Sequence, residues 1–278
     1  MIARRARQAF LRACEFDVAV RKPGNVSLAS PGHGMTAAQF IASAQAAAPA
    51  LFAPGQRVGQ RIEAAVAASW AAASCNTNLG IVLLCAPIAA AVERSPATGL
   101  RHALEAVLAD LNRDDAVAAF RAITQAQPGG LGEAPAEDVR RPPSVGLREA
   151  MALAAGRDSI ARQYVNGYAD LFDIALPQLP SGPLTAAAVQ RVFLALASRL
   201  PDSHIVRKHG EAVAQTVMSA AQRWYAQAEA GAVLDELPAF IAWDEALKSA
   251  GINPGTTADL TVAALMLASL AEPRADTG

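Results

Sequence analysis

The chain has 278 residues, 53% hydrophobic and 18% charged, so it can bury a sizeable core as one large or two small domains. Its 24 Lys and Arg against 25 Asp and Glu leave a net charge of −1, which offers no overall basic field to draw nucleic acid or an anionic membrane. The three cysteines, Cys14, Cys75 and Cys85, are odd in number and lack metal-ligand spacing, as expected of free thiols in a reducing cytoplasm.

Helix formers dominate and β-branched alternation is scarce, so the expected fold class is all-α, a single compact multi-helix bundle over residues 1–278. Helical periodicity predicts elements at about 3–20, 36–50, 56–74, 78–93, 97–110 and 113–125. Further elements are predicted at about 145–155, 157–173, 185–199, 203–229, 236–249 and 257–271. Arg12, Glu15, Asp17 and Arg21 interrupt the first apolar series, which therefore reads as a helix of the mature protein rather than a secretion signal. Leu79 to Val92 is uncharged, yet Pro87 breaks it and it falls short of the roughly 20 residues that cross a bilayer, so a buried core helix is expected. The segment 127–144 carries Pro-Gly-Gly, Leu-Gly, Ala-Pro and Arg-Arg-Pro-Pro and is expected as one long Pro/Gly-rich loop, either a lid or disordered.

Against this alanine-rich background five polar islands stand out. Lys22-Pro23-Gly24-Asn25-Val26-Ser27 ends the first helix and offers backbone N–H groups, a point charge and amide donors to an anion. Pro31-Gly32-His33-Gly34-Met35 places an imidazole between two glycines, where it can titrate or meet a ligand. Asn76-Thr77-Asn78-Leu79-Gly80 supplies more capping residues than one helix start requires. Asp202-Ser203-His204-Ile205-Val206-Arg207-Lys208 sets an acid at a helix start and two cations a turn later. Asn253-Pro254-Gly255-Thr256-Thr257-Ala258-Asp259 is a turn into a helix with a carboxylate just inside. Each island has a plain alternative as a helix stop, a cap or a solvated face. Together they favour a nucleotide- or phosphate-handling site assembled at helix ends, although no Walker A loop, Rossmann glycine pattern, H-E-x-x-H or G-x-S-x-G occurs.

Taken in order, with Phe40 and Ser43 behind the second island, these motifs resemble the triphosphoribosyl-dephospho-CoA synthase family over about residues 13–270. The resemblance implies an all-α fold and transfer of the triphosphoribosyl group of ATP to 3′-dephospho-CoA or a related acceptor, with release of adenine. It implies small-molecule partners, with neither nucleic acid nor membrane, and Mg²⁺ as cofactor with ATP as substrate. Carried onto this chain, Lys22, Gly24, Asn25, Asn76, Thr77, Asn78, Arg207, Lys208, Gly255 and Thr256 would hold the nucleotide. Asp202 and Asp259 would hold Mg²⁺, and His33 or His204 would be the acid/base group. The chain departs from the family's usual pattern at Asn25, Ser27, Gly34, Asn78 and Leu79, where Leu, Asp, an acid, His and Lys are usual. A titratable group and a cation are thereby missing from the expected site. Two alternatives stay open: an enzyme of another cofactor pathway, such as one-carbon cofactor assembly, and a non-enzymatic helical interaction protein.

Overall fold

Apolar residues recurring at three- and four-residue spacing give each segment one face to bury, and glycine or proline ends the coil between them. The computed structural model describes residues 2–94, 99–180 and 182–271, and no strand occurs among them. The helices are α1 (Ile2–Ala19), α2 (Ala37–Leu51), α3 (Val58–Ala73), α4 (Leu79–Arg94), α5 (Leu100–Ala109), α6 (Arg113–Ala126) and α7 (Leu147–Ala154). They continue as α8 (Ser159–Asn166), α9 (Ala186–Ala197), α10 (Ser203–His209), α11 (Glu211–Glu229), α12 (Pro238–Ser249) and α13 (Gly255–Leu270). The start expected at 97 for the fifth helix lies outside the described residues. No helix among the described residues is long and apolar enough to cross a membrane.

The central element is α4, buried without interruption from Leu79 to Ala91 and packed against α1, α3, α5 and α13. Pro87 does not break it, contrary to the sequence expectation. A proline in a helix leaves the carbonyl four residues earlier without its N–H partner. Here that carbonyl, of Leu83, accepts the Tyr164 hydroxyl at 2.6 Å, and the next, of Leu84, accepts the Tyr168 hydroxyl at 2.8 Å. Both phenols are fully buried, which pushes their pKa values up and keeps them neutral donors.

Two predicted helices are divided. The segment expected at 157–173 ends at Asn166, because Gly167 (φ 67°) and Tyr168 (φ 62°) take left-handed backbone, and it resumes as a π-helical turn at Leu171–Ala175. That reversal carries Tyr168 back to α4. The segment expected at 203–229 splits at Gly210, whose φ of 86° starts α11 in a new direction. A smaller apolar group around Phe193, Tyr225 and Phe240 joins α9, α11 and α12 to the main core.

The segment 127–144 is irregular, as expected, and follows a defined path. Asp138 accepts from the backbone N–H groups of Ala134 and Arg140 and from the Arg140 guanidinium. Those bonds hold its carboxyl below the usual carboxylate range. The Thr124 hydroxyl donates to the Val139 carbonyl and fastens the loop to the end of α6.

Candidate active site

The island after α1 is a clasp. Lys22 is completely buried; its Nζ lies 3.0 Å from Asp17 Oδ1 and also donates to the Asp17 carbonyl. Gly24 has φ +84° and its N–H donates to Asp244 Oδ1 at 2.8 Å. A Cβ at position 24 would lie 2.8 Å from Pro254 Cδ and 2.9 Å from the Ile252 carbonyl oxygen, so only glycine fits the close approach. Asp244, itself fully buried, also takes Arg21 at 2.5 Å and Lys248 at 2.9 Å. Asn25 donates from Nδ2 to Asn253 Oδ1 at 3.1 Å. The first and fifth islands are thus bolted together, with Lys22 and Gly24 inside the bolt rather than on an open surface. His33 is tied in as well, its Nε2 2.8 Å from the Gly24 carbonyl, which makes that nitrogen the donor.

Beside the clasp opens a cleft of about 370 Å³. The starts of α4, α8 and α13 and the side chains of α10 converge on it, and the 127–144 loop forms its roof. Of the expected residues, the structure brings Asn25, Asn76, Thr77, His204, Arg207, Gly255, Thr256 and Asp259 to its lining. Asn78 is buried directly between Thr77 and Leu79 of that lining. Thr77 donates to the Ser43 hydroxyl at 2.6 Å, and Asn76 caps α4 by accepting the Leu79 N–H at 3.2 Å. Lys208 does not line the cleft. It is exposed and packs on the roof, where a Cβ at Gly129 would meet its Cε at 2.9 Å.

The two acids expected at a metal differ in their surroundings. Asp202 caps α10 through the N–H groups of His204 and Ile205, and its other oxygen accepts the N–H and hydroxyl of Thr257 at 2.7 and 2.8 Å. With both oxygens occupied it ties α10 to α13, although burial pushes its carboxyl pKa up. Asp259 has no hydrogen-bond or ion-pair partner among the described residues. Its carboxylate lies over Gly80, where a Cβ would sit 2.0 Å from Oδ2, so glycine at the start of α4 makes room for it. Burial, then the charges of Asp17 and Asp202, push the Asp259 pKa well above the carboxylate range, and Arg207 opposes them.

Arg207 pairs with Asp158 Oδ2 at 2.9 Å. Burial, then the nearby cations Arg207 and Lys208, bring His204 down to about 4, so its imidazole is neutral. Four buried polar atoms at or beside the cleft lack a partner: Asn25 Oδ1, Asn78 Nδ2, His204 Nε2 and Arg207 Nε. Each such atom costs about 1–3 kcal/mol while it stays unpaired, a cost that a polar ligand could relieve.

Sequence reasoning missed Asp17, Arg157 and Asp158, which also line the cleft. The Arg157-Asp158-Ser159 signal was visible as a helix start, and Asp158 does cap α8 through Ile160 and Ala161. Its second oxygen, turned to Arg207, could not be read from local spacing.

An all-α scaffold that turns several helix starts, two arginines and an unpartnered carboxylate into one roofed cleft offers a setting in which an anionic ligand could be held. The profile of the ATP:dephospho-CoA triphosphoribosyl transferase family, CitG, matches residues 3–277, and the chain belongs to that family. A solved structure from Archaeoglobus fulgidus, described as a candidate triphosphoribosyl-dephospho-CoA synthase, shares the fold with a TM-score of 0.68. Identity to it is 24%, over 84% of this chain and 100% of that one. A search of curated proteins finds no match.

Proposed function

We propose that this cleft transfers the triphosphoribosyl group of ATP to a ribose hydroxyl of 3′-dephospho-CoA. The hydroxyl oxygen attacks C1′ of the ATP ribose and gives up its proton, the C1′–N9 bond breaks with its electron pair leaving on adenine, and adenine takes up one proton, so the transfer is proton-neutral. The ribosyl carbon passes through an oxocarbenium-like state, so the protein has to position two nucleotides and control charge around C1′.

The observation that carries this reading is the Asp259 carboxylate, unpartnered over Gly80 where the starts of α4 and α13 meet, with Arg207 near enough for its charge to lower the carboxyl pKa. Phosphates would lie against the first N–H groups of α13, at Gly255 and Thr256, and against Arg207 and Arg157. Asn76, Thr77 and Asn78 would meet sugar oxygens, with Asn25 Oδ1 and Asn78 Nδ2 satisfied by ligand instead of protein. The neutral His204 Nε2 suits a hydrogen bond to the leaving base or the attacking hydroxyl, and a nearby triphosphate would raise its proton affinity.

The residues also fit Mg²⁺. With Asp17 paired to Lys22 and Asp138 to Arg140, the cleft lining still sets Glu133, Glu137, Asp158 and Asp259 against Arg157 and Arg207. A triphosphate bound there needs a further positive charge. Among the described residues no group of three His, Cys, Asp or Glu is placed to hold a metal. Mg²⁺ commonly takes one or two carboxylates plus substrate phosphates, which Asp259 and the triphosphate would supply. Bound so, it would neutralise phosphate charge; Asp202 would hold the start of α13 in place.

The test is adenine release, followed by chromatography, with ATP, dephospho-CoA and Mg²⁺. Wild-type protein is expected to release adenine, and Arg207→Ala and Asp259→Asn to lose at least about a hundredfold in rate. Undiminished release by both variants places the chemistry elsewhere. Normal ATP binding without adenine release in the wild type overturns dephospho-CoA as the acceptor.

A further inference from the structure

Helix α2 grips the second polar island twice. Gln39 and Ser43 stand one turn apart on that helix, so their side chains leave it on one face. Gln39 Nε2 donates to Cys75 Sγ at 3.6 Å, and the Ser43 hydroxyl accepts from the Thr77 hydroxyl at 2.6 Å. Ser43 is held from behind as well, because the Ser69 hydroxyl of α3 donates to its carbonyl at 3.3 Å. Ser43 is completely buried and Ser69 nearly so, whereas Thr77 belongs to the cleft lining, as does Phe40 between the two gripping residues. A polar chain from Ser69 through Ser43 to Thr77 thus runs from the core to the ligand space.

A hydroxyl carries one proton and two lone pairs. With its proton committed to Ser43, Thr77 has only lone pairs left to offer, at a position fixed by a bond kept away from water. Such a group pairs with a hydroxyl or an N–H and disfavours a phosphate oxygen, which brings lone pairs of its own. Thr77 also stands three residues before Gly80, the residue beneath the Asp259 carboxylate.

We infer that Thr77 accepts a hydrogen bond from the 2′-hydroxyl of the ATP ribose, and that Ser43 is the positioning residue that keeps Thr77 an acceptor. The inference deepens the proposed transfer and rests on it: C1′ reacts beside Asp259, and the hydroxyl on the neighbouring carbon falls to the start of α4. Drawing the 2′-proton toward Thr77 enriches O2′ in electrons and eases the positive charge building on C1′. The contact therefore strengthens as the ribosyl carbon approaches its oxocarbenium-like state.

Calorimetric titration with ATP and with 2′-deoxy-ATP, both with Mg²⁺, tests this, and thermal unfolding of each variant checks that it folds. Wild-type protein is expected to bind ATP about tenfold more tightly than 2′-deoxy-ATP, the weight of one well-placed hydrogen bond. Thr77→Val should abolish that preference, Ser43→Ala should cut it to about threefold, and Thr77→Ser should retain it. A role confined to packing would weaken both nucleotides alike, so a ratio left at the wild-type value in Thr77→Val and Ser43→Ala overturns the inference. A wild-type ratio near one overturns it, as does a preference seen against 3′-deoxy-ATP and not against 2′-deoxy-ATP. Variants that lose affinity for dephospho-CoA with the ATP ratio intact assign Thr77 to the other sugar and overturn it too. The expected ratios in protein that releases no adenine overturn the proposed reaction and leave the sugar contact standing.

Discussion

Replacing Lys22 by methionine separates a phosphate ligand from a buried structural charge. Lys22 is fully buried and its partner Asp17 nearly so, with Nζ 3.0 Å from Oδ1. Removing one member of such a pair leaves a buried carboxylate uncompensated, at a cost of about 3–5 kcal/mol. For a chain of this size each kcal/mol lowers Tm by roughly 2–4 °C, so thermal unfolding should move down by on the order of 10 °C. The deficit should depend on pH. Burial raises the Asp17 pKa, and Lys22 is what pulls it back. Without Lys22 the folded-state pKa rises further, so the folded protein binds a proton that the unfolded chain releases. Stability contributed by that proton is present at low pH and lost as pH rises through the folded-state pKa. Lys22→Met should therefore sit closer to wild type near pH 4 than near pH 8, and adding Asp17→Asn should recover much of the loss. The assay is calorimetric unfolding of wild type, single and double variants at both pH values, alongside ATP titration. A Lys22→Met protein with unchanged Tm and greatly weakened ATP binding would refute the reasoning and return Lys22 to the phosphates.

Asp259→Asn should abolish adenine release yet leave the protein as stable as wild type or more so at neutral pH. The reason is that the raised carboxyl pKa makes ionised Asp259 a growing burden as pH rises; urea unfolding at pH 5 and pH 8 checks the sign. Gly80→Ala should lower the rate by about a hundredfold with little loss of helix content, since the new methyl meets Asp259 Oδ2 and displaces the carboxylate; circular dichroism and the adenine assay read the two effects. His204, held near 4 in the fold against about 6.5 free, subtracts stability as pH falls from 6.5 toward 4, because only the unfolded chain takes the proton. His204→Gln should flatten that part of the stability–pH curve, measured by thermal unfolding in the absence of ligand.

The all-α fold was legible because helix propensity and apolar spacing act locally, and α2, α8, α9 and α10 start just after Thr36, Asp158, Thr185 and Asp202. What escaped were decisions taken across the chain. Gly210 reads as one weak point in a helical series, and its positive φ is what ends α10 and starts α11. The run from Arg157 to Asp173 keeps a helical pattern, and the turn at Gly167 and Tyr168 is demanded by carbonyls on α4, some eighty residues earlier. Polar islands are equally ambiguous, because a residue that grips another loop and one that grips a ligand share the same chemistry. Lys22, Gly24 and Asp202 turned inward, whereas Arg207, Asp259 and His204 kept atoms without protein partners facing the cleft. Arg157 sits beside a cap and carried no signal of its own.

The two phenols on α4 also govern which parts of the molecule can adapt to a substrate. Tyr164 and Tyr168 act as dowels set into adjacent carbonyls beside Pro87, so sliding α8 along α4 by even one residue would withdraw both at once. Ile160 and Ala161, on the same short helix, belong to the cleft wall, and that wall is therefore held in register with the start of α4 and with Gly80 beneath Asp259. The roof, by contrast, is tied to α6 by the Thr124 hydroxyl on the Val139 carbonyl and Arg113 on the Pro143 carbonyl, and is knotted on itself by Asp138. The helical walls of the site are thus fixed by the core, and the 127–144 loop is the part of its lining that no helix carries.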